Sequence, residues 1–301
     1  MKDQMSKMVS ECQKNITETL QTHNKTSFKR DEWKRPGGGG GITCAFKEGA
    51  LLEKGGVNVS TVYGSYSKQM QQMMPLNLDC KIKNPDFFAT GISLVLHPKN
   101  PMSPTVHMNY RYFEVYQGSE VLSWWFGGGA DLSPSYLFPE DVIHFHETYK
   151  ECCDEVDKKI YPSQKKACDD YFYIPHRKEH RGVGGIFLFR ENLYSQEAYF
   201  SWAKSCANAF LESYLPILEK RNAHSFTDQE RQWQQLRRGR YVEFNLMYDK
   251  GTTFGLQSGG NIESILMSLP SCASWDYNVS PLPGSKEAEM QEVLKTPREW
   301  I

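Results

Sequence analysis

At 301 residues, with 39% hydrophobic and 13% aromatic content, the chain is long enough for one large domain or two small ones and can bury a sizeable core. Its 35 basic residues against 36 acidic ones leave a formal net charge of −1, which excludes bulk attraction to nucleic acid or an anionic membrane surface. No apolar run approaches the roughly 20 residues of a membrane span.

The first 20 residues lack the apolar centre of a signal peptide, and Asp3, Glu11 and Glu18 argue against a transit peptide. Met5, Met8, Val9, Cys12, Ile16 and Leu20 recur at helical spacing and predict an amphipathic helix. The eight cysteines contain no Cys-x-x-Cys, so they form neither a zinc pattern nor a secreted disulfide framework, and a reducing, cytoplasmic setting is expected. Trp33-Lys34-Arg35-Pro36 then leads into five glycines, Gly37 to Gly41. No Gly-Lys-Ser/Thr follows them, so the run reads as a turn or lid and not as a phosphate loop. Residues 42–47, 50–54 and 57–63 alternate, separated by Gly49 and Gly55-Gly56, and predict an antiparallel meander. Residues 65–90 read as irregular, with Met70, Met73 and Met74 as packing side chains.

Ile92 to His97 predicts a strand with Ser93, Val95 and His97 on one side. A proline-rich loop joins it to a second strand, Pro104 to Tyr116, as a hairpin. Alternation there places His107, Asn109 and Arg111 on one face and Val106, Met108, Tyr110 and Tyr112 on the other. A proton-shuttling imidazole, an amide and a bidentate carboxylate binder make a ligand-facing set; the alternative is an edge strand facing water. Glu120 to Phe126 predicts the next strand, ending in Trp124-Trp125-Phe126 and running into Gly127-Gly128-Gly129-Ala130-Asp131. The glycines either let a ligand approach the backbone beside a carboxylate, or form a turn that Asp131 caps.

Pro139 to Lys158 predicts a helix in which His144 and His146, two apart, cannot share a face. Residues 163–182 gather Asp169, Asp170, His176, Arg177, His180 and Arg181 in an aromatic background. Residues 184–189 predict a buried strand, 195–221 and 227–238 helices, and 241–248 an alternating strand that ends at Asp249. Gly259-Gly260-Asn261 opens a helix whose N-terminal amides favour an anion, and 286–294 closes the chain as a helix. About eight strands without βαβ alternation predict one α+β domain, residues 1–301, with a largely antiparallel sheet.

Several segments closely resemble the oxygen-dependent coproporphyrinogen III oxidase family: WKRPGGGGG (33–41), HPKNPMSPTVHMNYRYFE (97–114), WFGGGADLSP (125–134), DDYFYIPHRKEHR (169–181), RRGRYVEFNLMYDKGT (237–252) and ESILMSLP (263–270). The resemblance spans nearly the whole chain. It implies a seven-stranded antiparallel sheet flanked by helices, a homodimer, and haem-pathway chemistry. Two propionates of coproporphyrinogen III become vinyls with O2 as oxidant and loss of CO2, giving protoporphyrinogen IX, with no flavin or nicotinamide. By the same resemblance His107 is the proton donor, Ser93, Asn109, Tyr110, Arg111 and the segment Gly259, Gly260, Asn261 contact substrate, and the strand from Tyr241 joins the dimer interface. Lys250 and Asn261 depart from a pattern in which members often carry Arg.

The residues fit such a substrate independently. Four carboxylates need local positive charge, for which Arg111, Arg177, Arg181 and the helix end at Asn261 are candidates. Asp131 or Asp249 would accept from the pyrrole N–H groups as a catalytic base, beside an apolar wall of Trp124, Trp125 and Phe126. Two other readings stay open. One is a metal-dependent oxidase using His97, His107, His146 and His176, a set to which bacterial members are sometimes assigned a divalent metal. The other is a non-catalytic tetrapyrrole carrier.

Overall fold

Alternation of apolar and polar residues dominates the first half of the chain, and it closes into one sheet. The structure, a computed structural model, describes every residue except 74, 75, 77–81, 83 and 258 and the side chains of 69 and 73. Helix α1 (Lys2–Asn24) precedes β1 (Lys29–Lys34), β2 (Gly39–Lys47), β3 (Leu52–Ser65) and the short α2 (Lys68–Met73). Then come β4 (Asp86–Pro98), β5 (Thr105–Gln117), β6 (Glu120–Ser133), α3 (Pro139–Asp154) and α4 (Ile160–Tyr171). The two-residue strands β7 (Tyr173–Ile174) and β8 (Glu179–His180) lead to β9 (Gly185–Glu191), α5 (Gln196–Asn208) and α6 (Phe210–Asn222). Helices α7 (Asp228–Met247), α8 (Lys250–Gln257), α9 (Ile262–Leu266) and α10 (Lys286–Lys295) complete the chain. The seven-stranded antiparallel sheet is present, in the order β1-β2-β3-β4-β5-β6-β9, and the fold is α+β.

Strand β5 sorts its side chains as alternation requires. Val106, Met108, Tyr110 and Tyr112 are fully buried, packed in one core with Met5, Val9 and Ile16 of α1 and with Phe145, Trp202 and Phe210 of α3, α5 and α6. Burying a side chain such as Val106 or Met108 contributes about 1.5–3 kcal/mol. A slip of one residue would drive His107, Asn109 and Arg111 into that core, so the register is strongly specified. Those three instead remain partly accessible on the opposite face.

Several sequence expectations need correction. Of the two expected segments, 52–54 and 57–63 belong to one strand, because Gly55 and Gly56 do not form a turn. A β-carbon on Gly55 would meet the Leu96 side chain at 2.8 Å, and one on Gly56 would meet Met267 Sδ at 2.5 Å, so glycine there admits neighbours packed onto the strand. Of the glycine run only the start is a turn; Gly39 to Gly41 lie in β2. The triple glycine likewise stays inside β6, which continues to Ser133. Residues 195–221 divide into α5 and α6 with Ala209 between them. Met70 packs against the cluster formed by Tyr66, Phe87, Phe113, Val115 and Trp125, whereas the Met73 side chain and Met74 lie outside the described residues.

The largest correction is at 241–248, which is the last part of α7 and not a strand. Its alternation is local; over the whole segment the buried residues Trp233, Gln234, Leu236, Arg237, Arg238, Gly239, Tyr241, Phe244 and Asn245 form one broad helical face, linked by steps of three and four. A capping box at Thr227 and Glu230 starts the helix. Gly239 does not break it but admits Trp275, since a β-carbon there would lie 2.5 Å from Ser274 O.

Candidate active site

The sheet face opposite the core carries a cavity of about 490 Å³. Strands β3 to β6 supply its floor through Asn58, Ser93, His107, Asn109, Arg111 and Trp125, while Tyr241 of α7, Phe254 of α8 and Ile265 of α9 lie across it. Asn58 Nδ2 donates to Ser264 O at 2.8 Å, and the Thr43 and Ser264 hydroxyls meet at 2.5 Å, so α9 is pinned onto the sheet.

His107 stands directly opposite Asp131 in the β5–β6 ladder. Its Nδ1 lies 2.7 Å from Asp131 Oδ1, and Arg181 Nη2 donates to Oδ2, also at 2.7 Å. Burial alone would push the Asp131 carboxyl up, but Arg181 and His107 more than offset this and hold it below the ordinary carboxylate range. An ionised carboxylate only accepts, so His107 Nδ1 carries the proton and Nε2 is left for a ligand. Arg181 is fixed in turn by Asn245 Oδ1 at 2.8 Å and by the Phe172, Tyr241 and Phe244 rings, 4.0, 4.6 and 5.0 Å from its guanidinium carbon. This buried pair holds the imidazole in one orientation.

Arg111 has glycine opposite it on both sides, Gly91 in β4 and Gly127 in β6, so its guanidinium has room on the cavity floor. Among the described residues no carboxylate lies within ion-pair distance of it; burial lowers its pKa, and the more distant Asp249 charge opposes that effect. Asp249 lines the cavity at the start of α8. Its Oδ1 accepts from the Tyr171 hydroxyl at 2.9 Å and its Oδ2 from Thr252 N at 2.6 Å, so the carboxylate is anchored through both oxygens.

The other expected residues divide. Ser93, Asn109, Gly259, Gly260 and Asn261 line the cavity with His107, Arg111, Arg181 and Asp249. Asn261 caps α9, its Oδ1 accepting from Ser264 N at 3.0 Å, and that helix is only five residues long. Tyr110 does not reach the cavity: it is fully buried on the core side with its ring against Trp202, 5.4 Å between centroids. The resemblance named it a contact, but strand alternation turns it away. Asp131 sits behind His107 and is not among the lining residues. Arg177 lies outside, its guanidinium on Glu243 at 2.7 and 2.8 Å.

The four histidines proposed for a metal do not converge. His97 Nε2 meets Ser268 O at 2.8 Å, His146 lies between Tyr161 and Val183 O, and His176 lies between Tyr248 and Glu243. Among the described residues no group of three metal-ligating side chains forms a site. The apolar wall is also rearranged. Alternation puts Phe126 in the core and only Trp125 on the cavity, where Phe87, Phe113 and Trp125 stack with centroids 6.0 and 5.1 Å apart.

The family model for coproporphyrinogen III oxidase matches residues 4–300. The chain belongs to that family. It is 51% identical over 301 residues to the chloroplastic oxygen-dependent coproporphyrinogen-III oxidase of Glycine max, an alignment covering 98% of this chain and 78% of that protein. Against the mitochondrial enzyme of Homo sapiens identity is 50% over 306 residues, covering 100% and 67%. Against the Drosophila melanogaster protein of the same name it is 48% over 307 residues, covering 100% and 78%. Among the described residues no helix is long and apolar enough to cross a membrane.

Sequence reasoning missed three cationic side chains of the cavity as ligand groups: Lys34, Arg35 and Arg190. The first two were signalled, since they stand in the family segment 33–41. Arg190 follows the last residue of an expected strand and had no signal at all. Lys250 was noted only as a departure, yet it lines the cavity with its ammonium 4.3 Å from the centre of the Phe189 ring.

Proposed function

We infer that this chain oxidatively decarboxylates two propionates of coproporphyrinogen III, with O2 as the oxidant, to give protoporphyrinogen IX. One observation carries the reading: among the described residues the cavity lining holds six cations (Lys34, Arg35, Arg111, Arg190 and Lys250, with Arg181 paired to Asp131 behind it) against a single lining carboxylate, Asp249. That excess suits a ligand with several carboxylates and an apolar ring body that lies on Phe113 and Trp125. For each side chain, a CH2–CH2–COO⁻ group loses CO2 and a hydride equivalent to become CH=CH2. Two electrons and the hydrogen pass to O2, which with one further proton leaves as H2O2.

The residues divide this work. Asp249, anchored at both oxygens, faces the macrocycle as the acceptor for pyrrole N–H, which enriches the ring in electrons. His107 Nε2 delivers or accepts a proton at the reacting side chain while Asp131 fixes its tautomer. Arg111, Ser93 and Asn109 orient a carboxylate over the floor. Molecular oxygen is the co-substrate, as the relatives' names state of them, and no flavin or nicotinamide enters the scheme. Exposed apolar residues at the end of α7 and beyond, Met247, Ile262, Trp275 and Tyr277, support a homodimer, which sedimentation would test. The seven described cysteines are free thiols, which supports a cytoplasmic location testable by cell fractionation.

The test is turnover. Purified protein with coproporphyrinogen III in air should yield a product with two vinyls, and under argon it should not. Tight binding in air without any product would leave a carrier.

A further inference from the structure

Strand β9 carries one residue too many for its neighbour. Phe126 pairs with Glu191 and Gly128 with Leu188, so Phe189 and Arg190 together face the single Gly127. At this bulge Arg190 adopts a left-handed backbone, φ 53°, which a non-glycine side chain rarely takes without a compensating role. Bulges re-aim side chains, and this one presents Arg190 to the cavity. Its guanidinium carbon lies 5.5 Å from the Trp125 ring and 5.2 Å from the Phe189 ring. Lys250 sits on the same Phe189 ring from α8. Among the described residues no carboxylate lies within 4 Å of Arg190 (its electrostatic neighbours are the Tyr66 and Tyr171 hydroxyls and a second cation, Arg111). Two cations that repel each other across one partly buried cavity, each without a carboxylate, leave room for anions between and beside them.

We propose that Arg190, propped on Trp125 and Phe189 by the β9 bulge, is a second carboxylate subsite that takes a substrate carboxylate remote from the reacting one and so sets the orientation of the macrocycle. The proposal rests on the polycarboxylate reading above. Aromatic packing would hold the guanidinium fork in place while its donors stay open. Arg111 grips one carboxylate on the floor and Arg190 another beside the aromatic stack.

The test compares a four-carboxylate and a two-carboxylate probe, coproporphyrin III and mesoporphyrin IX, by fluorescence titration of the wild type, Arg190→Gln and Arg190→Lys. Loss of a charge-assisted hydrogen bond predicts that Arg190→Gln weakens coproporphyrin III binding by about tenfold to a hundredfold. Mesoporphyrin IX affinity should change less than twofold, and Arg190→Lys should recover part of the loss. KM for coproporphyrinogen III should rise more than kcat falls. Arg190→Gly, which accepts the left-handed backbone without strain, gives the same comparison should the glutamine variant fold poorly. Unchanged coproporphyrin III affinity, or an equal loss for both probes, would overturn the subsite. The outcomes separate from the parent reading: a wild type that binds coproporphyrin III through Arg190 yet releases no CO2 in air loses the oxidase reading alone. Normal turnover with Arg190-independent affinity loses the subsite alone.

Discussion

Asp131 and Asp249 carry the same carboxylate in opposite situations, and their variants should separate accordingly. Asp131 is buried with both oxygens engaged, one by His107 and one by Arg181. Asp131→Asn would keep one acceptor, leave the Arg181 charge unpaired, and release the His107 tautomer. Breaking a buried pair costs about 3–5 kcal/mol, so turnover should fall by roughly 10²-fold or more together with the thermal midpoint. Asp249→Asn, at the cavity edge, should remove turnover with the smaller stability change. Equal midpoints for the two would refute the positioning role of Asp131. Arg111 gives the reverse sign. With no ion-paired carboxylate, its replacement in Arg111→Gln strands no partner, so the midpoint should hold or rise while KM increases at least tenfold. A fall in midpoint comparable to that of Asp131→Asn would show a structural role.

At the scale of elements, strand β5 was the most legible part of the chain because its alternation is dictated by burial on one side alone. His107, Asn109 and Arg111 could therefore be placed on the ligand face from spacing. The His107–Asp131 contact could not, since it depends on the β5–β6 register across 24 residues, and Arg190 depends on a bulge that no local pattern announces. Helix α7 was misread at its end because Val242, Phe244 and Leu246 alternate by chance, whereas Leu246 is half exposed. The Thr227–Glu230 capping box holds its start. Thr227→Ala should cost about 1 kcal/mol in denaturant unfolding, and no effect would mean that tertiary contacts alone fix the helix. Arg177 belongs to this helix as well, through its bidentate contact with Glu243. Arg177→Ala should leave KM within about twofold (about 0.4 kcal/mol), because its guanidinium is held by Glu243 and does not line the cavity; a large rise would return it to the substrate.

The molecule as a whole buries two neutral histidines, and this gives its stability a pH dependence. Desolvation lowers His97 to about 3 and His146 to about 4, against an ordinary value of 6.5. Both folded values lie below the unfolded one, so the unfolded chain takes up protons first as pH falls. Their stabilising contribution is complete above about pH 6.5 and is lost progressively towards pH 4 and below, by about 2 kcal/mol per histidine at pH 5. Asp131, also held below its ordinary range, adds a second loss only below about pH 4. Denaturant unfolding from pH 7.5 to 4.5 should show the first decline, and His146→Gln should remove about half of it, leaving the His97 share; a flat wild-type profile would contradict the burial of neutral imidazoles. The cavity and its excess of cations carry the functional account, in which carboxylates held on one sheet face are lost as CO2 at the expense of O2. The most direct measurement is the release of labelled CO2 from coproporphyrinogen III carrying ¹³C in its propionate carboxyl carbons. Two equivalents per macrocycle in air, none under argon, and a collapse of release in Arg111→Gln are the expected results; no release in air, or equal release under argon, would contradict the account.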